Sequence, residues 1–218
     1  ISPMNTYILS PKATLHPFVQ KYIVLQNITS AADIAKKKLF TAGRQYLVFI
    51  QQGGLAFKPM DHASFELPEA SVTGPFTCVV NARVNGPLNA VIVQLNAYAS
   101  HRLMGISMES VTNYFRDLTK VDVRWKDTAA QLHQATHIHS IHHILDSALE
   151  SLLPYQQPAL RQVDEMVDYL TEQKGQVAML ELALRFKTSR HTLERQFMEV
   201  TGLTPQLYTR ILRRQRYA

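Results

Sequence analysis

The sequence predicts an α+β chain: an N-terminal antiparallel β-barrel or sandwich, then a run of helices, then a small all-α unit at the C-terminus. Two periodicities and a charge gradient predict it. Up to about residue 97 the apolar residues fall in short or alternating runs, and beyond it they recur three and four positions apart. The excess positive charge is confined to the last part of the 218 residues.

The strand candidates are FVQKYIVLQNI (18–28), RQYLVFIQQ (44–52), GLAFKP (54–59), FTCVVNARV (76–84) and NAVIVQLNAY (89–98), all rich in Val, Ile, Tyr and Phe. Between them stand GG, KPMDH, LPE, TGP and NGP, which are turn chemistry, and the NGP at 85–87 reads as a tight reversal between two strands. Helical spacing then takes over with Val111, Tyr114, Phe115 and Leu118. Asp127 is a candidate cap for TAAQLHQA. Ile138, Ile141, Leu145, Leu149 and Leu152 form a longer stripe that stops at Leu153-Pro154. Such a stripe either packs within the chain or forms a dimer helix, and spacing alone leaves both open. PYQQP (154–158) reads as a linker. The expected division is a β-rich unit over 1–105, a helical connector over 106–154 with a dimerisation role open to it, and a C-terminal unit over 158–218.

Composition narrows the class. With 46% apolar residues the chain is globular, and no apolar run approaches the ~20 residues of a membrane span. ISPMNTYILSP at the start lacks the basic region and long apolar core of a signal peptide. The single cysteine, Cys78, excludes an internal disulfide framework and a multi-cysteine zinc site, and a cytosolic compartment is the simplest reading. Net charge is +6, and residues 185–218 carry all of it: eight basic residues against Glu194 and Glu199, while the remainder balances. A local basic excess is an electrostatic footprint for a polyanion, or a solvated tail.

Within the C-terminal unit four helices are expected. The first carries Leu160, Val163, Met166, Val167 and Leu170 on one side and ends near Lys174-Gly175. The second, VAMLELALRF, turns Val177, Leu180, Ala183 and Leu184 to one side. After a break at Phe186-Lys187-Thr188, Ser189 is a candidate N-cap for the third. At ~100° per residue Leu193, Phe197 and Val200 share a face while His191 and Arg195 point away from it. In the fourth, Thr204 caps and Pro205 takes the first helical position, Leu207, Tyr208 and Ile211 face a core, and Arg210, Arg213, Arg214 and Arg216 follow. A helix, a short turn and a second helix with basic residues outward is the helix-turn-helix arrangement, whose second helix enters the major groove. Arginine can bond guanine O6 and N7, glutamate can accept from cytosine N4, and neighbouring cations can neutralise phosphates.

LELALRF, TSRHTLERQF and TGLTPQLYTRILRR together resemble the AraC-type transcriptional regulators. The matched positions are Leu182-Ala183, Ser189, Leu193, Arg195, Phe197, Gly202, Thr204, Pro205, Tyr208 and Arg213, over about residues 158–218. The resemblance implies a cupin-like N-terminal unit that senses an effector or dimerises, double-stranded DNA as the partner, and RNA polymerase as a second one. By position it puts the base-contacting role on His191, Glu194 and Arg195; Arg190 and Thr192 complete the candidate base-contacting set, and Lys187, Ser189, Arg210, Arg213 and Arg214 the phosphate set. Two departures stand out. The family's alanine four residues after Arg213 is Tyr217 here, with Ala218 next. The family also carries two helix-turn-helix units joined by a long helix, and this chain stops inside that helix. A fragment that binds DNA weakly by itself is therefore expected, because affinity depends steeply on the number of phosphate contacts.

No catalytic residue is assigned: the Gly-x-Ser-x-Gly elbow, phosphate-loop and dinucleotide fingerprints are absent. No cofactor or metal is expected. His16, His62 and His101 stand alone in the β-rich region, and His133, His137, His139, His142 and His143 read as a solvated helix face although His139 and His143 have i, i+4 spacing. No residue is assigned to an effector. The competing reading is a small-molecule- or protein-binding β-barrel module whose helical tail is only structural.

Overall fold

The computed structural model describes residues 4–36, 39–41, 43–158 and 161–215. Its seven strands are β1 (Asn5–Leu9), β2 (Val19–Ile28), β3 (Gln45–Pro59), β4 (Phe65–Glu66), β5 (Ala70–Thr73), β6 (Val80–Leu95) and β7 (Phe115–Asp117). They form one antiparallel sheet in the order β1-β2-β6-β3-β5-β7, with β4 beside β3. The α+β class with an N-terminal antiparallel sheet is as expected. Among the described residues the path ends at β1 and β7, so the sheet is open.

The central strands read as continuous apolar runs because both of their faces are covered. Tyr22 and Val24, Leu47 and Phe49, and Val91 and Val93 lie in one core, while Ile23 and Leu25, Tyr46 and Val48, and Ala90 and Ile92 lie in the other. The second core is closed by a cluster of rings, with Phe57 against Phe40, Phe65 and Phe76 at 4.7, 5.9 and 5.6 Å between centroids, and by Ile34 of α1 (Ala31–Lys36).

Two expected turns are corrected. GG and NGP do not separate strands: β3 runs through Gly53-Gly54 and β6 through 85–87, and the two strands pair from Gln45↔Leu95 to Pro59↔Val80 with register shifts at Gln52. Gly53 has φ +77, and a Cβ there would lie 2.5 Å from the Pro87 carbonyl oxygen. Glycine at positive φ builds a β-bulge as readily as a turn. Bulges facing each other bend one long antiparallel strand pair where the sequence suggested four short strands.

The helices that cover the first core are α2 (Ala99–Met104), α3 (Leu118–Val121), α4 (Arg124–Gln134), α5 (Ile138–Glu150), α6 (Arg161–Glu172), α7 (Met179–Arg185), α8 (Arg190–Thr201) and α9 (Pro205–Gln215). The stripe of Val111, Tyr114, Phe115 and Leu118 is not one helix. A 3-10 turn ends at Val111, Asn113 takes φ +57, Phe115 pairs in β7 with Thr73, and Asp117 caps α3 by accepting from the Thr119 N–H. Asp127 is not a cap either; α4 begins three residues earlier, where Asp122 accepts from the Arg124 N–H at 2.9 Å. The stripe of α5 packs inside the chain, with Ile141, Leu145 and Leu149 buried. PYQQP is pinned, since Gln157 and Arg102 exchange hydrogen bonds at 2.7 and 3.0 Å. Among the described residues no helix is long and apolar enough to cross a membrane.

Candidate nucleic-acid interface

The C-terminal helices build a scaffold that holds α8 by one face. Val163, Met166, Val167 and Leu170 of α6 are buried as the one-sided spacing predicts; Leu160 lies outside the described residues, as do Arg216, Tyr217 and Ala218. α6 ends with Lys174 and Gly175 both at positive φ. A Cβ on Gly175 would meet the Thr209 carbonyl oxygen at 2.4 Å, so glycine here lets α9 cross close by.

α7 corrects the expected apolar face. Leu180 and Leu184 are 72% and 70% exposed, whereas Leu182 is fully buried and Met179 and Phe186 pack against the core. The helix starts only at Met179, so Val177, which is buried, lies outside it and cannot set its phase. Leu180 and Leu184 are an exposed i, i+4 pair.

α8 follows the projection. Ser189 caps it, accepting from the Thr192 N–H at 3.2 Å and donating to the Thr192 hydroxyl at 2.9 Å. Leu193, Phe197 and Val200 are buried, and Phe197 meets Tyr208 of α9 at 5.5 Å between rings. His191 and Arg195 are exposed, with Thr192 and Met198 half-buried beside them. Gly202 ends the helix at φ +72, as a left-handed C-cap should. Thr204 caps α9 by accepting from the Leu207 N–H at 3.2 Å, and Pro205 is its first residue.

The candidate residues divide by engagement. Arg190 donates through Nε to Glu194 Oε1 at 2.9 Å, and Gln206 of α9 donates to the same oxygen at 2.9 Å. These two donors hold the Glu194 carboxyl below the usual carboxylate range, Gln206 contributing most. Lys187 is exposed at φ +48, and Arg210 is exposed on α9. Arg213 reaches back to the carbonyls of Gly175 at 2.6 Å and Val177 at 3.5 Å, which ties the end of α6 to α9. Arg214 lines a cleft of about 730 Å³ with Ile34, Phe40, Phe57, Val80 and Ala82. Spacing gave no sign of Gln206, because its contact with Glu194 depends on how α9 crosses α8.

Spacing also missed how tightly α8 and α6 dock on residues 98–112, where the β-rich region meets the connector. Ser107 donates to Glu199 at 2.6 Å and Thr112 to the Gly202 carbonyl at 2.8 Å. Arg102 of α2 pairs with Asp164 of α6, and Tyr98 donates to Asp168 at 3.2 Å. Burial pushes both aspartate carboxyls up, against the pull of Arg102 on one and of the Tyr98 hydroxyl on the other. Of the histidine group, His133, His137, His139 and His143 are exposed, while His142 bonds the Ser10 carbonyl at 2.8 Å and approaches Asp146 at 3.4 Å. Among the described residues no three His, Cys, Asp or Glu side chains are placed to hold a metal ion.

No family model and no curated protein matches the chain. Solved structures similar to it include apo ToxT from Vibrio cholerae strain SCE256, a lysine-to-alanine variant, at 8% identity and TM-score 0.43 over 98% of this chain and 80% of that one. The AraC-like transcriptional activator CuxR is similar at 12% identity and TM-score 0.32, over 99% and 87%. ToxT from Vibrio cholerae O395 is similar at 13% identity and TM-score 0.26, over 96% and 97%. These likenesses are too distant to carry the role of any residue to this chain.

Proposed function

We propose that the protein is a cytoplasmic, sequence-specific, DNA-binding transcription regulator of the AraC type and not an enzyme. One observation carries the reading. α8 is anchored by Leu193, Phe197 and Val200 and turns His191 and Arg195 outward, in the segment that holds the entire positive excess of the chain. A helix inserted in the major groove needs this division between anchors and presented donors. His191, Thr192, Glu194, Arg195 and Arg190 face base edges in this reading. Lys187, Ser189 and Arg210 serve phosphates, with Arg213 and Arg214 available once they release their present contacts. A homodimer and RNA polymerase enter as partners through the family resemblance. The N-terminal unit, cupin-like in this reading, senses a small effector, and its mostly apolar 730 Å³ cleft is the place for one. Because Arg214 of α9 lines that cleft, an occupant could bias the population of DNA-competent arrangements.

Selection from a random duplex library, followed by affinity measurement over a salt series, tests the reading. Arg195→Ala should relax preference at one base pair by about 1–3 kcal/mol. Arg210→Ala should weaken all sequences alike and reduce the salt slope by about 1. Binding that ignores both salt and sequence would refute the proposal and favour the second reading, a ligand-binding β module with a structural helical tail, which the same cleft supports.

A further inference from the structure

Glu194 presents a carboxylate with its two oxygens in different states. Oε1 accepts from Arg190 Nε and from Gln206 Nε2, each at 2.9 Å, while Oε2 accepts no hydrogen bond among the described residues. The two donors differ in what a duplex would do to them. Arg190 sits one turn away on α8 with a side chain 75% exposed, and as a cation it is drawn toward phosphate or guanine as DNA approaches. Gln206 is neutral, half-buried in the first turn of α9, and feels no comparable pull. α9 is itself fixed by the Phe197–Tyr208 contact and by the Arg213 bonds to the turn after α6.

We infer that Gln206 is a positioning residue for base reading: it holds Glu194 Oε1 so that Oε2 is presented as an acceptor to an amino-bearing base edge, cytosine N4 or adenine N6. The inference rests on the reading of α8 as a DNA-recognition helix. An unheld glutamate on a helix surface samples several rotamers and follows Arg190 when that side chain turns to the duplex. A glutamate held from α9 keeps one rotamer and pays its ordering entropy in advance, so the selectivity of one base pair depends on a residue that never touches it.

The test is selection from a random duplex library with the wild-type chain, Gln206→Met, Glu194→Ala and the double variant, with affinity followed over a salt series. Methionine keeps the length and volume of the side chain and removes the donor, and circular dichroism melting confirms that the variants fold. Gln206→Met should lower discrimination by roughly tenfold at the one base pair that Glu194→Ala also flattens, leaving the other positions and the salt slope unchanged. In the double variant the Gln206 change should add nothing, because the two residues act through one contact. A Gln206→Met protein that keeps the wild-type preference overturns the inference, and so does a further loss in the double variant, which would mean that Gln206 meets the DNA itself. A wild-type chain that selects no sequence overturns the DNA reading and the inference with it.

Discussion

Strand β3 and helix α8 treat neighbouring residues in opposite ways. Along β3, Leu47 and Val48 point to opposite faces and both are fully buried. Along α8, Leu193 and Phe197 are buried while His191 and Arg195 are exposed. A sheet covered on both faces leaves no side chain conspicuous, so the sequence of the N-terminal half points to core everywhere and to function nowhere. A helix held by one face sorts its residues into anchors and presented groups, and that sorting is visible in the sequence. The difference explains why spacing offers a candidate DNA-reading face on α8 and no candidate effector site.

The largest test of the contrast compares truncations. Leu47→Ala should cost about 2–5 kcal/mol in urea unfolding, and Val48→Ala on the opposite face should also destabilise, by roughly 1–3 kcal/mol. Within α7, Leu182→Ala should cost about 2–5 kcal/mol, while Leu180→Ala should stay within about 0.5 kcal/mol. Equal losses at Leu180 and Leu182 would mean that α7 has two covered faces, and the contrast would break.

Gly53→Ala probes the bend of the β3–β6 strand pair. The added methyl would meet the Pro87 carbonyl at 2.5 Å on a backbone at φ +77. A loss of roughly 1–3 kcal/mol in the same unfolding assay is expected. A neutral substitution would show that the bulge can relax into a regular strand.

The smallest effect concerns the seam between the two regions. Burial raises the Asp164 carboxyl pKa above its ordinary value despite the neighbouring Arg102. The folded state therefore holds this proton more tightly than the unfolded state does. The cost of burying the charge is present at neutral pH and is relieved as pH falls toward the carboxylate range. The Tm of the wild type relative to Asp164→Asn should rise as pH falls from about 7 toward about 5. A difference that is flat in pH would place the Asp164 carboxyl in a solvated setting.

Much of the fold was legible. Alternation and β-branched runs located β2 and both halves of β3 and β6, and the stripes of α5 and α6 lie where the three-four rhythm put them. The misreadings share a cause. GG and NGP carry the chemistry of a turn, yet paired glycines at positive φ serve equally well as facing bulges, and the partner strand decides between them. Val111 to Leu118 has helical spacing by coincidence, because Asn113 breaks the chain and Phe115 pairs with Thr73. The inward phase of Leu180 and Leu184 starts from Val177, which lies outside the helix.

The sequence by itself determined the α+β class, the placement of the charge, the capping of α8 by Ser189 and the division of α8 into anchors and an outward face. These depend on local spacing, capping chemistry and amphipathic period, which a residue carries with it wherever it is placed. Only the tertiary structure decided that the seam joins Arg102 to Asp164, that Arg213 ties down the turn after α6, that Arg214 lines the cleft and that Gln206 holds Glu194. Each of these joins residues twelve or more positions apart, and a contact at that separation depends on where whole elements cross rather than on the order of residues within them.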